Sequence, residues 1–162
     1  MNTEAKKEVQ PTVVIYTDGG CEPNPGVGGW GAVLIYGKKM KELSGSAPDT
    51  TNNKMELTAA VAALSSLKRA CKVELHSDSI YLVKGMKEWI HGWKRKQWHR
   101  GGKLVKNVTL WQQLDELSKI HDITWIWVRG HDGNYYNERC DQLAGEAIHR
   151  QRHEINGNNS NE

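Results

Sequence analysis

Apolar residues recur along this chain with two different spacings, one typical of strands and one typical of helices. Short apolar runs rich in β-branched residues predict five strands, at about residues 12–18, 29–36, 39–45, 72–78 and 123–128. Apolar residues at helical spacing predict four helices, at about residues 54–70, 79–96, 108–117 and 137–149. Strands and helices that follow one another in this way indicate an α/β fold.

The connections between these elements indicate how the strands pair. The first three strands are separated by short turns, and they predict an antiparallel meander. The fourth strand follows a helix, and this crossover predicts that it lies parallel to one of the meander strands.

The segment between the first two strands contains a motif that resembles a nucleotide-binding fingerprint. Gly26, Gly28 and Gly31 have the spacing G-x-G-x-x-G. That fingerprint binds a pyrophosphate only where the glycines open a helix, and here they lead into a predicted strand. We therefore reject nucleotide binding and predict a wide hairpin turn that contains these glycines with Pro23 and Pro25.

Two of the predicted strands end on a carboxylate, the first on Asp18 and the fourth on Asp78. If these strands are neighbours, both side chains emerge at one edge of the sheet, where open α/β folds bind ligands. Two ionised carboxylates that close together repel each other unless cations hold them. This pairing is the first indication of a metal site.

Glu56 lies near the start of the first predicted helix, and on local grounds it has a structural interpretation. It is typical of a capping-box partner of Asn53, or of an acid that complements the helix dipole. His131 lies in a glycine-bearing loop after the fifth strand, where a histidine by itself is typical of an inert surface residue.

Composition and length predict a single domain at residues 12–150, preceded by a flexible segment 1–11 and followed by a disordered tail 151–162. The chain has 162 residues, of which 38% are hydrophobic and 25% charged. We expect no membrane segment and no secretory signal. Three cysteines without a C-x-x-C pair predict reduced thiols in a cytoplasmic protein and argue against a zinc site.

The charge is unevenly distributed, although the net charge is only +3. Residues 84–106 contain eight Lys or Arg and one acid, Glu88, so this segment carries +7 and the rest of the chain −4. A solvated helix face is one interpretation. Tryptophans interleaved with the cations favour the other, a nucleic-acid surface.

Several motifs in order resemble a known family. They are TDGGCEPNPGVGGWG, TTNNKMEL, HSDS, the basic Trp-rich segment, VKNVTLW and WVRGHDGNYYNERCDQLA. In this order and spacing they resemble type 1 ribonuclease H of the bacterial ribonuclease HI kind, over about residues 12–150. The resemblance implies a ribonuclease H-like fold, a five-stranded mixed sheet of order 3-2-1-4-5 with helices on both faces.

The resemblance also implies an activity and a cofactor. The activity is endonucleolytic hydrolysis of the RNA strand of RNA/DNA hybrids, which leaves 3′-hydroxyl and 5′-phosphate ends. The cofactor is Mg²⁺, with two ions per active site and Mn²⁺ as a possible substitute. The implied partner is the hybrid duplex, with no membrane and no obligatory protein partner, and we expect a monomer.

The family's site residues match positions of this sequence one by one. The metal-binding carboxylates fall on Asp18, Glu56, Asp78 and Asp141, and the catalytic loop histidine on His131. Positions that read the minor groove or hold the DNA phosphate fall on Cys21, Asn24, Thr51, Asn52 and Asn53. The basic protrusion that guides the DNA strand falls on Trp89, Trp93, Lys94, Arg95, Lys96 and Lys106. Three positions depart from the family pattern: Ile80, Gly92 and Gly145.

Two other functions fit part of the sequence. A nuclease of the same fold that cuts DNA would use the same carboxylates, but the TTNN and CEPNPG motifs resemble readers of 2′-hydroxyls and argue against it. A non-catalytic hybrid-binding module would not need the carboxylates, and four like charges would destabilise it without metal.

Overall fold

The computed structural model describes residues 11–160, with side chains as far as Gly157. The strands are β1 Thr12–Cys21, β2 Gly26–Tyr36, β3 Lys39–Thr50, β4 Lys72–Ser77, β5 His99–Arg100, β6 Lys103–Leu104 and β7 Asp122–Trp127. The helices are α1 Asn52–Ser65, α2 Ile80–Lys84, α3 Ile90–Arg95, α4 Val108–Ile120 and α5 Tyr135–Ser160. A π-helical turn, Gly85–Trp89, joins α2 to α3.

Five strands form one mixed sheet in the order β3-β2-β1-β4-β7. β1 pairs antiparallel with β2 and parallel with β4, and β4 pairs parallel with β7. The predicted fold class is confirmed. The fifth strand of the sheet is β7 because a two-stranded hairpin of β5 and β6 precedes it in the chain.

The sheet is covered on both faces, and the main core lies between the sheet and α1, α2 and α4. α1 packs closely because it presents small residues, Ala59, Ala60 and Ala63, each with no exposed surface. α5 packs against β1, β2 and β3. Gly31 allows this close approach, since a Cβ at that position would lie 2.6 Å from the carbonyl oxygen of Cys140.

The first hairpin differs from the prediction. β1 does not end at Asp18 but continues to Cys21, because β2 continues to pair with it as far as Gly28. The turn is therefore confined to residues 22–25. The glycines of the G-x-G-x-x-G motif lie in β2 and not in the turn, while the rejection of a helix-opening phosphate loop is confirmed.

The structure describes the C-terminal end of the predicted domain but almost none of the segment before it. The predicted flexible segment 1–11 lies outside the described residues except for Pro11. α5 does not stop near residue 149 but continues to Ser160, so most of the segment 151–162 that we expected to be disordered is helical. Arg150 and Gln151 contact Ser44 and Ser46 of β3, and these contacts support the helix beyond its predicted end.

The predicted helix 79–96 is continuous but contains the π-helical turn. Gly85 packs directly on the Trp111 ring, since a Cβ there would lie 2.1 Å from Cη2 of that ring. The extra residue of a π turn changes the helix face that is presented to the core. The orientation of the cationic residues after Gly85 is therefore not the one that a regular helix would give.

Candidate metal centre and nucleic-acid interface

The register of β1 and β4 brings Asp18 and Asp78 together. Thr17 and Ser77 are the last residues paired between these parallel strands, and each is followed by one of the two carboxylates. Carboxylate oxygens of Asp18, Glu56 and Asp78 lie within 4.8 Å of one another. We call these three residues the carboxylate cluster. The prediction that Asp18 and Asp78 emerge side by side is confirmed, although β1 itself continues past Asp18.

Glu56 joins the cluster because α1 crosses the end of β1. Its Oε1 accepts a hydrogen bond of 2.5 Å from the backbone N–H of Gly19, and the Ser77 hydroxyl donates to its Oε2 at 3.5 Å. A Cβ at Gly19 would lie 2.4 Å from the backbone carbon of Met55, so only glycine fits between strand and helix.

The structural interpretation of Glu56 is wrong. The helix cap is Thr51, whose hydroxyl accepts from the backbone N–H of Lys54 at 3.2 Å. Glu56 lies beyond the first turn of α1, is only 7% exposed, and points its carboxylate to the cluster. The group that holds the Glu56 carboxylate is the backbone N–H of Gly19. The glycine directly after Asp18 was the sequence signal that could have indicated this contact.

The cluster concentrates negative charge in a place with little water. Burial raises the pKa of Asp18, and the charges of Glu56, Asp78 and Asp141 raise it further. Burial also raises the pKa of Glu56, although hydrogen bonds from Asp18 and Gly19 act in the opposite direction. Without a cation the cluster therefore retains a proton at neutral pH, and a cation would displace it.

Asp141 lies at the edge of this cluster. It is an exposed residue of α5, outside the group within 4.8 Å, but close enough for its charge to raise the pKa of Asp18. Its neighbour Cys140 is buried and donates from Sγ to the carbonyl oxygen of Tyr16 at 3.2 Å. This contact fixes α5 beside β1, so Asp141 faces the same sheet edge as a peripheral acid.

His131 lies in an exposed loop that begins beside the cluster. The indole N–H of Trp127 donates to the carbonyl oxygen of Asp78 at 3.2 Å. Gly130 passes so close that a Cβ there would lie 2.6 Å from Oδ2 of Asp78. His131 itself has a left-handed backbone, with φ 57°, and an exposed side chain. No local pattern in the sequence indicated the contacts of Trp127 and Gly130 with Asp78.

The residues expected to read the minor groove form one surface beside the cluster. The backbone N–H of Asn52 donates to Oδ1 of Asn24 at 3.2 Å, which joins the 22–25 turn to the start of α1. The thiol of Cys21, which has one proton to donate, lies 3.2 Å from the carbonyl oxygen of Pro23 and 3.3 Å from that of Thr50.

This surface is also held from the far side by the C-terminal part of α5. The Arg152 guanidinium donates to the carbonyl oxygen of Glu22. Thr51 and Asn53, the remaining expected contacts, begin α1 next to Asn52, so all five residues lie around one turn and one helix start.

A groove of about 780 Å³ runs from this surface along the π turn and α3. Its lining includes Asn53, Trp89, Trp93, Lys96, Lys103 and Lys106. We call it the basic groove. Trp93 is fixed by its ring contact with Trp111, with centroids 5.1 Å apart.

Two of the predicted contact residues do not line the basic groove. Lys94 forms an ion pair of 3.0 Å with Asp115 of α4, and Arg95 is exposed outside the lining. Within residues 11–160, no helix is long and apolar enough to cross a membrane.

The chain matches a family of known proteins over most of its length. The model of the RNase H family matches residues 10–149. Ribonuclease H of Geotalea uraniireducens is 61% identical over 137 residues, which cover 84% of this chain and 93% of that protein. Ribonuclease HI of Caulobacter vibrioides is 55% identical over 139 residues, which cover 85% and 93%.

Solved structures agree with these sequence matches. LC9-RNase H1, a type 1 RNase H, superimposes with a TM-score of 0.79 at 31% identity and covers 88% of this chain and 74% of its own. LC11-RNase H1 in complex with an RNA/DNA hybrid has a TM-score of 0.63 at 27% identity, with coverage of 85% and 97%. The resemblance inferred from the motifs is confirmed.

Proposed function

Because the chain belongs to the RNase H family, we propose that it is an endoribonuclease that cuts the RNA strand of RNA/DNA hybrids. The products carry 3′-hydroxyl and 5′-phosphate ends. The observation that carries this proposal is the carboxylate cluster, whose three side chains converge within 4.8 Å at the sheet edge. A similar fold binds a hybrid in the LC11-RNase H1 complex.

The residues fit a magnesium site. Mg²⁺ prefers oxygen ligands, and the cluster offers only carboxylate oxygens, with Asp141 at its edge. Asp18, Glu56 and Asp78 would hold the metal, with Asp141 as the fourth acid; Mn²⁺ is an alternative with the same ligand preference. Two ions held there would supply activation of the attacking water and stabilisation of the leaving 3′ oxygen.

The protein's own residues position these groups. Gly19 and Ser77 hold the Glu56 carboxylate in place, and the buried strands fix Asp18 and Asp78, so little reorganisation is needed during the reaction. His131 is exposed on the loop after β7, which passes beside Asp78 at Gly130, and an imidazole can act as a general acid or base. We assign it to water activation or product departure.

Recognition of the hybrid divides between two surfaces. Cys21, Asn24, Asn52 and Asn53 would contact the minor groove, where 2′-hydroxyls distinguish RNA from DNA. Thr51 would hold a phosphate of the DNA strand. The basic groove would guide the DNA strand further, with Trp89 and Trp93 against its sugars and Lys96 and Lys106 near its phosphates. Such contacts do not read base sequence, so cleavage should be largely independent of sequence.

The same proposal includes a monomer that works in the cytoplasm. All three cysteines, Cys21, Cys71 and Cys140, are free and buried, which agrees with a reducing compartment. Cys71 and Cys140 belong to two different core clusters. The proposed site uses residues of a single chain, so it needs no second copy.

The decisive experiment compares wild type, Asp18→Asn and the control Asp122→Asn on a 5′-labelled RNA/DNA hybrid, duplex DNA and duplex RNA. Asp122 is an exposed acid at the opposite end of the sheet. We expect cutting of only the hybrid's RNA strand in Mg²⁺, none in EDTA, and loss in Asp18→Asn alone. If the protein bound the hybrid but did not cleave it in Mg²⁺ or Mn²⁺, the result would contradict the enzyme and favour a non-catalytic hybrid-binding module. Cutting of duplex DNA would contradict the assigned role of the asparagines.

A further inference from the structure

α5 continues beyond the part of the chain that the RNase H family model matches. The match ends at residue 149, whereas the helix ends at Ser160. Two histidines lie at this boundary, His149 and His153, with the spacing i and i+4. Residues with this spacing lie one above the other on a single face of a helix. We call them the histidine pair. Because His153 is outside the match, the family resemblance gives the pair no role.

The three residues between the two histidines attach α5 to the rest of the protein. Each forms a hydrogen bond to β3 or to the 22–25 turn, and these bonds join Arg150 to Ser44, Gln151 to Ser46 and Arg152 to Glu22. Gln151 is the middle one, and it lies about 200° around the helix axis from each histidine. The histidine pair is therefore on the side of α5 that faces away from the sheet, and both side chains are exposed.

The two imidazole rings lie at a separation that suits a shared metal ion. The centroids of the His149 and His153 rings are 5.3 Å apart, and the ring planes are inclined at 86°. Two imidazoles that bind one tetrahedral ion through nitrogen at about 2.1 Å would have centroids about 5 Å apart. Both rings are exposed and can rotate, so an ion could be bound without movement of the backbone.

The donor atoms indicate which ion this pair would take. Imidazole nitrogen suits Zn²⁺, Cu²⁺ and Ni²⁺, whereas Mg²⁺ prefers oxygen. Histidines at i and i+4 on a helix are also the arrangement by which helical zinc motifs bind their metal. The cysteine pattern argued against a zinc site, but the histidine pair needs no cysteine.

The histidine pair is separate from the carboxylate cluster. Among the described residues, the carboxylate cluster is the only group of three or more His, Cys, Asp or Glu side chains that could hold an ion together. The protein would therefore supply two ligands at the histidine pair, and water would fill the other positions.

We propose that the histidine pair binds one Zn²⁺ ion and that this ion stabilises the C-terminal end of α5. An unfolded segment does not hold the two rings together, so the ion binds the helical form better and favours it. The same helical turn contacts the carbonyl oxygen of Glu22 through Arg152. The ion would thus support the 22–25 turn without entering the carboxylate cluster. This inference concerns a different site from the proposed function and does not depend on it.

The first test is a calorimetric titration of ZnCl₂ into the whole protein in excess Mg²⁺. His149→Ala and His153→Ala should each weaken binding of one Zn²⁺ about tenfold or more, since even the loss of an outer partner of a ligand has that effect. The matched control is His91→Ala, which removes an exposed histidine of α3 and should keep the wild-type Kd. All three substitutions are at exposed positions, so the fold should be retained, and a circular dichroism spectrum would verify this.

The second test is hydrogen exchange, which measures the effect of the ion on the helix. At a free Zn²⁺ concentration about ten times Kd, the amides of residues 150–157 should exchange about tenfold more slowly through local opening. The slowing should be absent in His153→Ala and present in His91→Ala. Neither test requires the protein to cut a substrate.

Three results would overturn the inference. The first is a wild-type protein that binds no Zn²⁺ in excess Mg²⁺. The second is a wild-type Kd in either His149→Ala or His153→Ala, because the proposed site needs both rings. The third is exchange of residues 150–157 that Zn²⁺ does not slow, which would contradict stabilisation of the helix end. A protein that leaves the hybrid uncut would contradict the proposed function and would not affect this site.

Discussion

The carboxylate cluster and the basic groove lie next to each other, but the chain builds them in different ways. The cluster is formed by two buried strands and a helix, and backbone contacts at Gly19 fix its geometry. The basic groove is formed by exposed side chains on a helix with a π turn and on a small hairpin. The carboxylate cluster therefore depends on the exact position of α1 against β1. The basic groove consists of side chains that can each be changed without moving the others.

This difference predicts how each region responds to substitution. One methyl group at the right backbone position should disable the cluster, because α1 and β1 have no space between them. In the basic groove, each cation should contribute independently, since separate side chains would contact neighbouring phosphates.

The largest effect is expected from Gly19→Ala. The new Cβ would lie 2.4 Å from the backbone of Met55 and 2.6 Å from the N–H nitrogen of Glu56, so α1 must move. A shift of this kind costs about 100-fold in kcat when catalytic groups are misplaced by about 1 Å. Gly20→Ala is the matched control, because nothing lies within 4 Å of its Cβ. Equal activity of the two variants would contradict the close-packing explanation.

The next effect concerns stability without metal. The pKa of Asp18 is raised by burial and by neighbouring acids. A raised pKa means that the folded state loses stability as pH increases from the ordinary value of the carboxyl towards the raised one. Asp18→Asn should therefore be more stable than wild type in EDTA, by about 1–3 kcal/mol at pH 8, with a smaller difference at pH 4.

Thermal or urea unfolding at several pH values would measure this difference, with Asp122→Asn as the control. Mg²⁺ should raise the stability of wild type more than that of Asp18→Asn, because it binds the folded cluster. If the difference in stability between Asp18→Asn and wild type did not change with pH, it would not come from the ionisation of Asp18.

A moderate effect is expected in the basic groove. The triple variant Lys96→Gln, Lys103→Gln, Lys106→Gln should raise KM about tenfold and lower the salt dependence of hybrid binding by about 3 in slope. Its kcat should change little. Lys94→Gln is the control, because that ammonium group is paired with Asp115 at 3.0 Å. An unchanged salt slope in the triple variant would exclude phosphate contacts by these lysines.

The smallest effect is expected from Arg152→Ala. This residue contacts the carbonyl oxygen of Glu22, in the turn that carries Asn24. Its loss should loosen the turn and raise KM about two- to threefold, the size expected for one exposed hydrogen bond. Arg150→Ala, which removes only a contact with Ser44 of β3, should leave KM unchanged. If both variants behave alike, the end of α5 does not support the turn.

By itself, the sequence determined the order of strands and helices, the meeting of Asp18 and Asp78, and the family. Apolar periodicity shows which residues face a core, so the strands and helices could be inferred from local sequence. A crossover helix makes two strands parallel, so the meeting of Asp18 and Asp78 could be inferred as well. The ordered motifs also named Asp141 and His131, whose catalytic roles remain predictions.

Only the tertiary structure decided the rest. β1 extends beyond Asp18 because β2 pairs with it, and α5 extends past residue 149 because β3 and the 22–25 turn contact it. Glu56 joins the cluster through the Gly19 N–H, a contact 37 residues away in sequence. Lys84 and Lys87 line a different groove from Lys96, Lys103 and Lys106, and Gly85 of the π turn packs on Trp111 of α4. Each of these depends on a distant partner, which a local pattern of residues does not contain.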